Sequence, residues 1–154
     1  MLDIDHFKLF NDAMGHQAGD ACIRKIAEAV GSATSGTASL AARYGGEEFA
    51  LVLPDVSEDQ AVRIAESLRL MVRKLDIRHP VAPRGYVTVS IGVATKTGVM
   101  ANETTIIGDA DIALYYAKKK GRNCTVASSG IPNPADYSVS LVPPSSEAEA
   151  PIVS

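Results

Sequence analysis

The sequence has no tryptophan, only two cysteines, and few aromatic residues of any kind, at 5% of the chain. Cys22 and Cys124 lie far apart, and neither has the Cys-x-x-Cys or histidine spacing of a zinc or redox site. These absences exclude a disulfide-rich scaffold and a zinc module. They favour reduced thiols and therefore a cytoplasmic protein.

Long apolar runs and an excess of basic charge are also absent. No apolar run approaches the roughly 18 residues that a membrane span requires, and acidic residues rather than a signal peptide follow Met1. The net charge of −3 provides no basic field of the kind that binds DNA or RNA. We therefore expect no membrane segment in this chain and no nucleic-acid polymer as a partner.

The remaining composition is that of an ordinary globular domain. The 154 residues are 46% hydrophobic and 21% charged, which suits one domain with a substantial core. From about Ser128 the sequence becomes rich in Ser, Pro, Ala and Glu, which predicts a disordered tail over 128–154 and a folded domain over 1–127. Because the chain begins in a strand-like segment at Met1, we expect residues upstream of it in a larger protein.

The most informative stretch of the chain is 43–49, Arg-Tyr-Gly-Gly-Glu-Glu-Phe. It joins two apolar runs, and Gly45-Gly46 favours a two-residue hairpin turn because such turns need positive φ. Glu47 and Glu48 follow the turn, where strand geometry predicts that they face opposite sides and differ in role. A solvent-exposed hairpin tip with two surface glutamates is the alternative interpretation of this stretch alone.

Periodicity and capping signals predict the order β-α-β-β-α-β-α-β, in which the first helical segment is a helix-turn-helix. This order indicates an α/β (α+β) sandwich, with one mixed sheet, an internal β-hairpin, and flanking helices mainly on one side. The predicted segments are strand 1–5, helix 6–14, a helix from Gly19, a loop over 31–39, hairpin 40–53, a helix capped by Ser57 and Gln60, strand 87–93, a helix from Asn102 to Gly121, and strand 124–126.

Three carboxylates form a candidate metal site. If the first strand neighbours the hairpin, Asp3 with Glu47 or Glu48 makes an all-oxygen pocket suited to Mg²⁺ holding phosphates. Asp3 is equally consistent with an ordinary residue at the end of a strand.

Two further pairs have nucleotide-binding chemistry. Asn11 and Asp20 flank the helix-turn-helix corner and offer an amide and a carboxylate to a base edge, although helix capping explains them as well. Lys118 and Arg122 have the spacing to supply cations to phosphate oxygens, or simply to satisfy a helix C-terminus.

Taken together, the residues resemble those of the GGDEF domains, the diguanylate cyclases that condense two GTP into cyclic di-GMP. The resemblance spans about residues 1–127 and implies the palm-type fold of nucleotidyl cyclases. The matching segments are Asp3-Ile4-Asp5-His6-Phe7-Lys8, Asn11-Asp12, Gly15-His16, Gly19-Asp20, 43–49, 87–94, Ala110-Asp111, Ala113-Leu114-Tyr115, Ala117-Lys118 and Gly121-Arg122-Asn123.

The resemblance implies roles for individual residues. Asp3, the Ile4 carbonyl and Glu47 would hold two Mg²⁺, with Mn²⁺ as an alternative, and Glu48 would support the same site. Glu47 and Glu48 would be catalytic, and Glu47 would also assist deprotonation of the ribose hydroxyl. Asn11 and Asp20 would recognise guanine, His16 would lie near the nucleoside, and Lys118 and Arg122 would contact the terminal phosphates. The other implied substrate contacts are Phe7, Lys8, Gly45 and Gly46.

The implied reaction is attack by a ribose 3′-OH on the α-phosphate of a second GTP. Since one domain binds one GTP, the resemblance implies a homodimer for catalysis, and an upstream sensor domain is a further expected partner. The alternatives are a GTP-binding regulatory module without turnover and, third, a structural α/β domain without a nucleotide.

Two features depart from the family pattern. The helix and the Asp-x-Leu-Thr-Gly-Leu-x-Asn-Arg-like turn that normally precede the first strand are absent from this chain. The inhibitory Arg-x-x-Asp before the hairpin is replaced by Gly-Thr-Ala-Ser at 36–39. We therefore expect no product inhibition through that position.

Overall fold

The computed structural model describes residues 1–34, 38–96 and 103–131, with the side chains of 103–105 left out. These residues form one sheet with helices on both faces. The elements are β1 (Leu2–Ile4), α1 (Phe7–Met14), α2 (His16–Thr34), β2 (Leu40–Gly45), β3 (Glu48–Val52), α3 (Glu58–Lys74), β4 (Val89–Val93), α4 (Glu103–Lys119), β5 (Thr125–Ala127) and a 3₁₀ turn (Ser128–Gly130).

The five strands of the described chain are ordered β2-β3-β1-β4-β5, and the sheet is mixed. The short strand β1 is central and pairs antiparallel with β3 on one side and β4 on the other. β4 and β5 are parallel, and β2 and β3 form the hairpin. This topology confirms the predicted fold class and places the hairpin beside the first strand.

One face of the sheet packs against α1, α2 and α3. Leu2, Ile4, Val89 and Ile91 belong to the same buried cluster as the apolar residues of these helices. In α3 the buried positions recur at helical spacing, and the predicted capping box forms, with Ser57 accepting from Gln60 N–H and Gln60 accepting from Ser57 N–H. The buried residues of α3 are Ala61, Ala65, Leu68 and Val72.

The opposite face of the sheet packs against α4. A Cβ on Gly92 of β4 would lie 2.1 Å from the Ala110 carbonyl oxygen and 2.3 Å from the Leu114 nitrogen. The α4 backbone therefore rests directly on β4, which only glycine permits at this position. Three helices on one face and α4 on the other agree with the expectation that helices lie mainly on one side.

The hairpin turn lies one residue later than predicted. Gly45 belongs to β2 and is paired with Glu48, so the two turn residues are Gly46, with φ of +43°, and Glu47. A register shift between Arg43 and Gly45 absorbs the extra residue, and Arg43 Nε donates to the Gly46 carbonyl at 2.8 Å. Because Glu47 lies in the turn, strand alternation does not explain how the two glutamates differ.

The second helix is longer at both ends than predicted. Gly15, with φ of +83°, breaks the chain between α1 and α2, and α2 begins at the next residue. Gly19 lies inside α2 at a point where α1 passes very close. A Cβ there would lie 1.9 Å from Asn11 Oδ1, which explains the glycine. α2 also continues through Gly31 to Thr34, and this shortens the predicted loop.

The last segment of the described chain packs on the domain. Residues 128–131, which composition assigns to the tail, form a 3₁₀ turn followed by the buried Ile131. Ile131 joins α4 and Val126 in a second apolar cluster. The rest of the predicted tail, the expected cap at Asn102, and positions 36 and 37 lie outside the described residues. None of the helices in the described ranges is long and apolar enough to cross a membrane.

Candidate functional site

Asp3 lies at the centre of the candidate site, in the middle of β1. Its direct partner across the β1–β3 pair is Glu48, so the two carboxylates stand on one face of the sheet. Lys118 of α4 covers this face, and its Nζ is 2.8 Å from Asp3 Oδ2. The structure therefore brings together Asp3, Glu48 and Lys118, which are far apart in the sequence.

The surroundings of Asp3 disfavour its ionised form. Burial raises the pKa of Asp3 from 3.8 to about 6; the Lys118 ammonium opposes this rise, and the charges of Glu47 and Glu48 add to it. The charges of Glu47 and Glu48 therefore act on Asp3 in one direction, and the Lys118 ammonium acts in the other. Asp3 is ionised at neutral pH only at a free-energy cost.

The tip of the hairpin reaches the end of β1 through the backbone. Ile4 N–H donates to the Glu47 carbonyl at 3.4 Å, which brings both residues beside Asp3. Among the described residues, no three His, Cys, Asp or Glu side chains stand close enough to hold a metal ion. The carboxylate and carbonyl oxygens nevertheless fit a hard divalent cation, and the Lys118 ammonium already supplies positive charge there.

The N-terminus of α1 follows β1 directly and offers unpaired backbone donors. His6 is the N-cap, with left-handed φ of +57°, and the first helical bond runs from Phe10 N–H to His6 O at 3.0 Å. Phe7 and Lys8 therefore have N–H groups without helical partners, and no acidic residue in the first turn competes for them. The Phe7 ring is buried in the core, so its contribution to an anion would come from the backbone.

The predicted base-binding residues meet at the α1–α2 corner. Asn11 of α1 packs against Gly19, and its amide Oδ1 is buried without a hydrogen-bond partner. Asp20 is the next residue of α2 and is exposed, as is His16 at the start of that helix. A buried acceptor without a partner beside an exposed carboxylate suits a ligand that presents adjacent N–H donors.

The C-terminus of α4 ends where the sequence predicts. Gly121 has φ of +104°, its N–H donates to Lys118 O at 3.3 Å, and Arg122 N–H donates to Ala117 O at 3.1 Å, which is a Schellman motif. Arg122 then lines a small surface pocket with Asp5 and His6. The pKa of His6 is lowered, mainly by burial and then by the positive charge of Arg122. Arg122 therefore lies near the start of α1.

Sequence reasoning gave no role to Asp5, although the structure places it beside the predicted site residues. Its side chain is buried and accepts hydrogen bonds from Thr88 Oγ1 at 2.6 Å, Ser90 Oγ at 2.6 Å and the Asn123 N–H at 3.0 Å. The sequence feature that could have indicated this role is the spacing of two residues between Asp3 and Asp5 and between Thr88 and Ser90. In strands, that spacing puts both side chains of each pair on one face of the sheet.

Sequence comparison assigns the chain to a family. The family model described as "Diguanylate cyclase, GGDEF domain" matches residues 1–124. The chain belongs to the GGDEF domain family, as its motifs indicate.

Named relatives are diguanylate cyclases. Diguanylate cyclase A of Treponema denticola is 39% identical over 86% of this chain, and Diguanylate cyclase VdcA of Vibrio cholerae is 45% identical over 80% of it. These matches cover 35% and 36% of the relatives, so the chain spans about a third of their length.

Solved structures agree in fold. The GGDEF domain of DgcB from Caulobacter crescentus, in complex with c-di-GMP, has a TM-score of 0.75 and 38% identity, covering 83% of this chain and 75% of that one. The active GGEEF domain of a diguanylate cyclase from Vibrio cholerae has a TM-score of 0.69 and 32% identity, covering 82% and 79%.

Proposed function

We propose that this chain is the catalytic domain of a diguanylate cyclase, which condenses two GTP into cyclic di-GMP and pyrophosphate. The observation that carries the proposal is the cross-strand pair of Asp3 and Glu48 under the Lys118 ammonium. These carboxylates would bind a metal and this ammonium would bind phosphate, close to the N-terminus of α1 with its unpaired N–H groups. The nucleotide supplies the negative charge that this arrangement would bind.

Asp3, the Ile4 carbonyl, Glu47 and Glu48 would hold the divalent cations, for which Mg²⁺ is the natural choice and Mn²⁺ an alternative. When bound, the metal supplies charge stabilisation for the attacking and leaving oxygens. Lys118 is then free to leave Asp3 and contact phosphate, because its side chain is about one-third exposed, at 33%. A bound cation would favour the ionised form of Asp3, which burial disfavours.

The remaining predicted residues would bind the two ends of the nucleotide, the base and the phosphates. Asn11 and Asp20 would accept from the guanine N1–H and N2–H₂ groups, with His16 near the nucleoside. The N–H groups of Phe7 and Lys8 would donate to phosphate oxygens. Arg122 would bind the terminal phosphates with Lys118, and the hairpin backbone at Gly45 and Gly46 would face the same substrate.

In the reaction, the 3′-OH oxygen of one GTP forms a bond to the α-phosphorus of the other. The bond from that phosphorus to pyrophosphate breaks, and the hydroxyl proton passes to a base, for which Glu47 is our candidate. The same step occurs a second time to close the ring. Since each domain holds one GTP, two copies must face each other, so the active form is a homodimer with a cytoplasmic substrate.

The function is tested by product analysis at several protein concentrations. The purified chain with GTP and MgCl₂ is expected to form cyclic di-GMP, detected by chromatography, with a specific rate that rises with protein concentration because the dimer is the active form. Glu48→Gln is expected to abolish turnover, while the exposed Arg63→Ala variant on α3 serves as the control with unchanged rate.

A thermal-shift measurement with GTP and Mg²⁺ distinguishes the two alternative hypotheses, a GTP-binding regulatory module and a structural domain, because a ligand that binds the folded state must stabilise it. Stabilisation without product would support a GTP-binding regulatory module and contradict the cyclase. No stabilisation at millimolar GTP would leave only the structural domain.

A further inference from the structure

The turn after α4 has an unusual backbone. Gly121, Arg122 and Asn123 are consecutive residues with positive φ, at +104°, +63° and +51°. Glycine adopts this region freely and asparagine tolerates it, but an arginine there is strained. Such strain persists only where the surroundings impose it, and it concentrates at functional sites.

The first contact that imposes the conformation comes from the sheet. Asp5 Oδ2 accepts the Asn123 N–H at 3.0 Å. The Asp5 side chain is fixed in turn by Thr88 and Ser90 of the neighbouring segment, whose hydroxyls donate at 2.6 Å each. Because Asp5 is only 2% exposed, its carboxylate cannot turn to water and release the amide at little cost.

The second contact comes from α3 and reaches the Asn123 side chain. Arg69 donates from a guanidinium N–H₂ to Asn123 Oδ1 at 2.9 Å. Glu66 orients that guanidinium, accepting from Arg69 Nε at 3.0 Å and from its other N–H₂ nitrogen at 2.9 Å. Asn123 is therefore held by its backbone and by its side chain, from two different elements.

The turn held in this way carries Arg122. Its side chain lines the small pocket that Asp5 and His6 also line, next to the start of α1. The direction of a side chain on so short a turn follows from the φ values of its own residue and the next. A change at Asn123 would therefore redirect Arg122 without touching it.

We propose that Asp5, Asn123 and Arg69 form a clamp, here called the Asn123 clamp, that holds the strained turn and aims the Arg122 guanidinium at the phosphates. The three are positioning residues, since none is placed on the substrate. The proposal rests on the proposed function, because it assumes that a nucleoside triphosphate occupies the site beside α1.

The test measures the affinity for GTP with Mg²⁺ by calorimetry in clamp variants. Asn123→Ala is expected to weaken binding about two- to tenfold, the range that corresponds to losing one net hydrogen bond. Arg69→Lys keeps a charge for Glu66 but loses the planar fork, so we expect a similar loss. Asn123→Asp keeps the acceptor and tolerates positive φ, and it should retain affinity. Arg63→Ala, on the exposed side of α3, is the matched control.

A double-mutant cycle identifies the route of the effect. In the Arg122→Ala background, adding Asn123→Ala should weaken GTP binding by less than twofold, because the side chain that the clamp directs is gone. A full, additive loss in that background would overturn the proposal, as would unchanged affinity in both Asn123→Ala and Arg69→Lys.

Hydrogen exchange at the Asn123 amide gives a readout independent of the nucleotide. We expect slow exchange in the wild type and faster exchange in Arg69→Lys and Asn123→Ala, with no change in Arg63→Ala. If the wild type does not bind GTP, the proposed function fails, and the role of the clamp in aiming Arg122 at phosphates fails with it. Accelerated exchange would then support only the holding of the turn by these residues, and unchanged exchange would overturn that as well. Unchanged GTP affinity with accelerated exchange would overturn the positioning role and leave the proposed function standing.

Discussion

Asp3 is a residue whose charged form is unfavourable in the folded chain and necessary for the proposed chemistry. Its pKa is raised mainly because it is buried, and the neighbouring glutamates add to the effect. A buried ionised group of this kind lowers the stability of the folded chain. The proposed metal would offset that loss of stability on binding. The Lys118 ion pair offsets part of the cost while no divalent cation is bound.

The pH dependence of stability follows from the direction of this shift. Since the pKa of Asp3 rises from 3.8 to about 6 on folding, the folded state holds the proton more tightly. The contribution that the protonated Asp3 carboxyl makes to the free energy of unfolding is complete below pH 3.8. It is lost as the pH rises through about 6, where the folded chain gives up this proton. Asp3→Asn, which cannot ionise, is therefore expected to be more stable than the wild type at pH 8 by a larger margin than at pH 5.

Chemical denaturation of both proteins without metal at the two pH values checks this prediction. Asp12→Asn, an exposed carboxylate of α1, is the control and should show no such difference. A margin that is equal at both pH values would contradict the prediction. The same Asp3→Asn variant should lose its thermal stabilisation by GTP and Mg²⁺, because the metal requires an ionised ligand.

At the scale of single elements, the placement of α4 decides whether the site exists. α4 carries Lys118 over Asp3, and the distance between them depends on how closely the helix approaches β4 at Gly92. The apolar periodicity of α4 predicted a helix whose buried side carries Ile107, Ala110, Leu114 and Ala117. Ala110, Leu114 and Ala117 are buried, but Ile107 is 43% exposed, so the prediction was wrong at that position. The periodicity could not predict the approach distance, which depends on the absence of a single Cβ on a strand that lies earlier in the sequence.

Gly92→Ala is expected to lower the free energy of unfolding by about 1–3 kcal/mol, the usual range for overpacking a core. A Cβ there would meet the Ala110 carbonyl oxygen at 2.1 Å, and backbone atoms cannot rotate away as a side chain can. The displaced α4 would also move Lys118, so affinity for GTP with Mg²⁺ should fall. Urea denaturation and calorimetry measure the two effects.

Gly31→Ala is the matched control for this substitution. Gly31 lies in α2 with ordinary helical φ and nothing within 4 Å of a new Cβ. Alanine there should stabilise the chain by about 0.5–1 kcal/mol, because it restricts the unfolded state and favours the helix. Equal effects of the two substitutions would show that the contact between α4 and β4 is not tight.

At the scale of the whole molecule, we expect no product inhibition through positions 36–39, which precede the hairpin. The family's inhibitory pair is an arginine and an aspartate three residues apart, and positions 36–39 of this chain carry neither. Without a guanidinium and a carboxylate, this position lacks the charged donors and acceptors that bind a guanine edge.

We expect calorimetric titration with cyclic di-GMP to show no tight binding that depends on this position. The double variant Gly36→Arg with Ser39→Asp restores the pair and should bind more tightly than the wild type. Tight binding to the wild type that disappears when 36–39 is changed would contradict the prediction. Binding that survives such changes would place a product site elsewhere on the molecule.

The sequence alone determined the family, the sheet-and-helix order and the chemical kinds of residue at the site. Those properties depend on local patterns: the Gly-Gly hairpin, the Ser57–Gln60 capping box and the alternation along β4. Local patterns also gave the end of α4 at Gly121, where a Schellman motif forms within a few residues.

Only the tertiary structure decided which of these groups meet. Glu48 rather than Glu47 lies opposite Asp3, because pairing with β1 and a register shift in β2 fix the turn one residue later. Asp5 reaches the Asn123 amide across 118 residues of sequence, and neither residue alone signals the other. Long-range contacts of this kind depend on how strands and helices pack in three dimensions, and local periodicity carries no information about that packing.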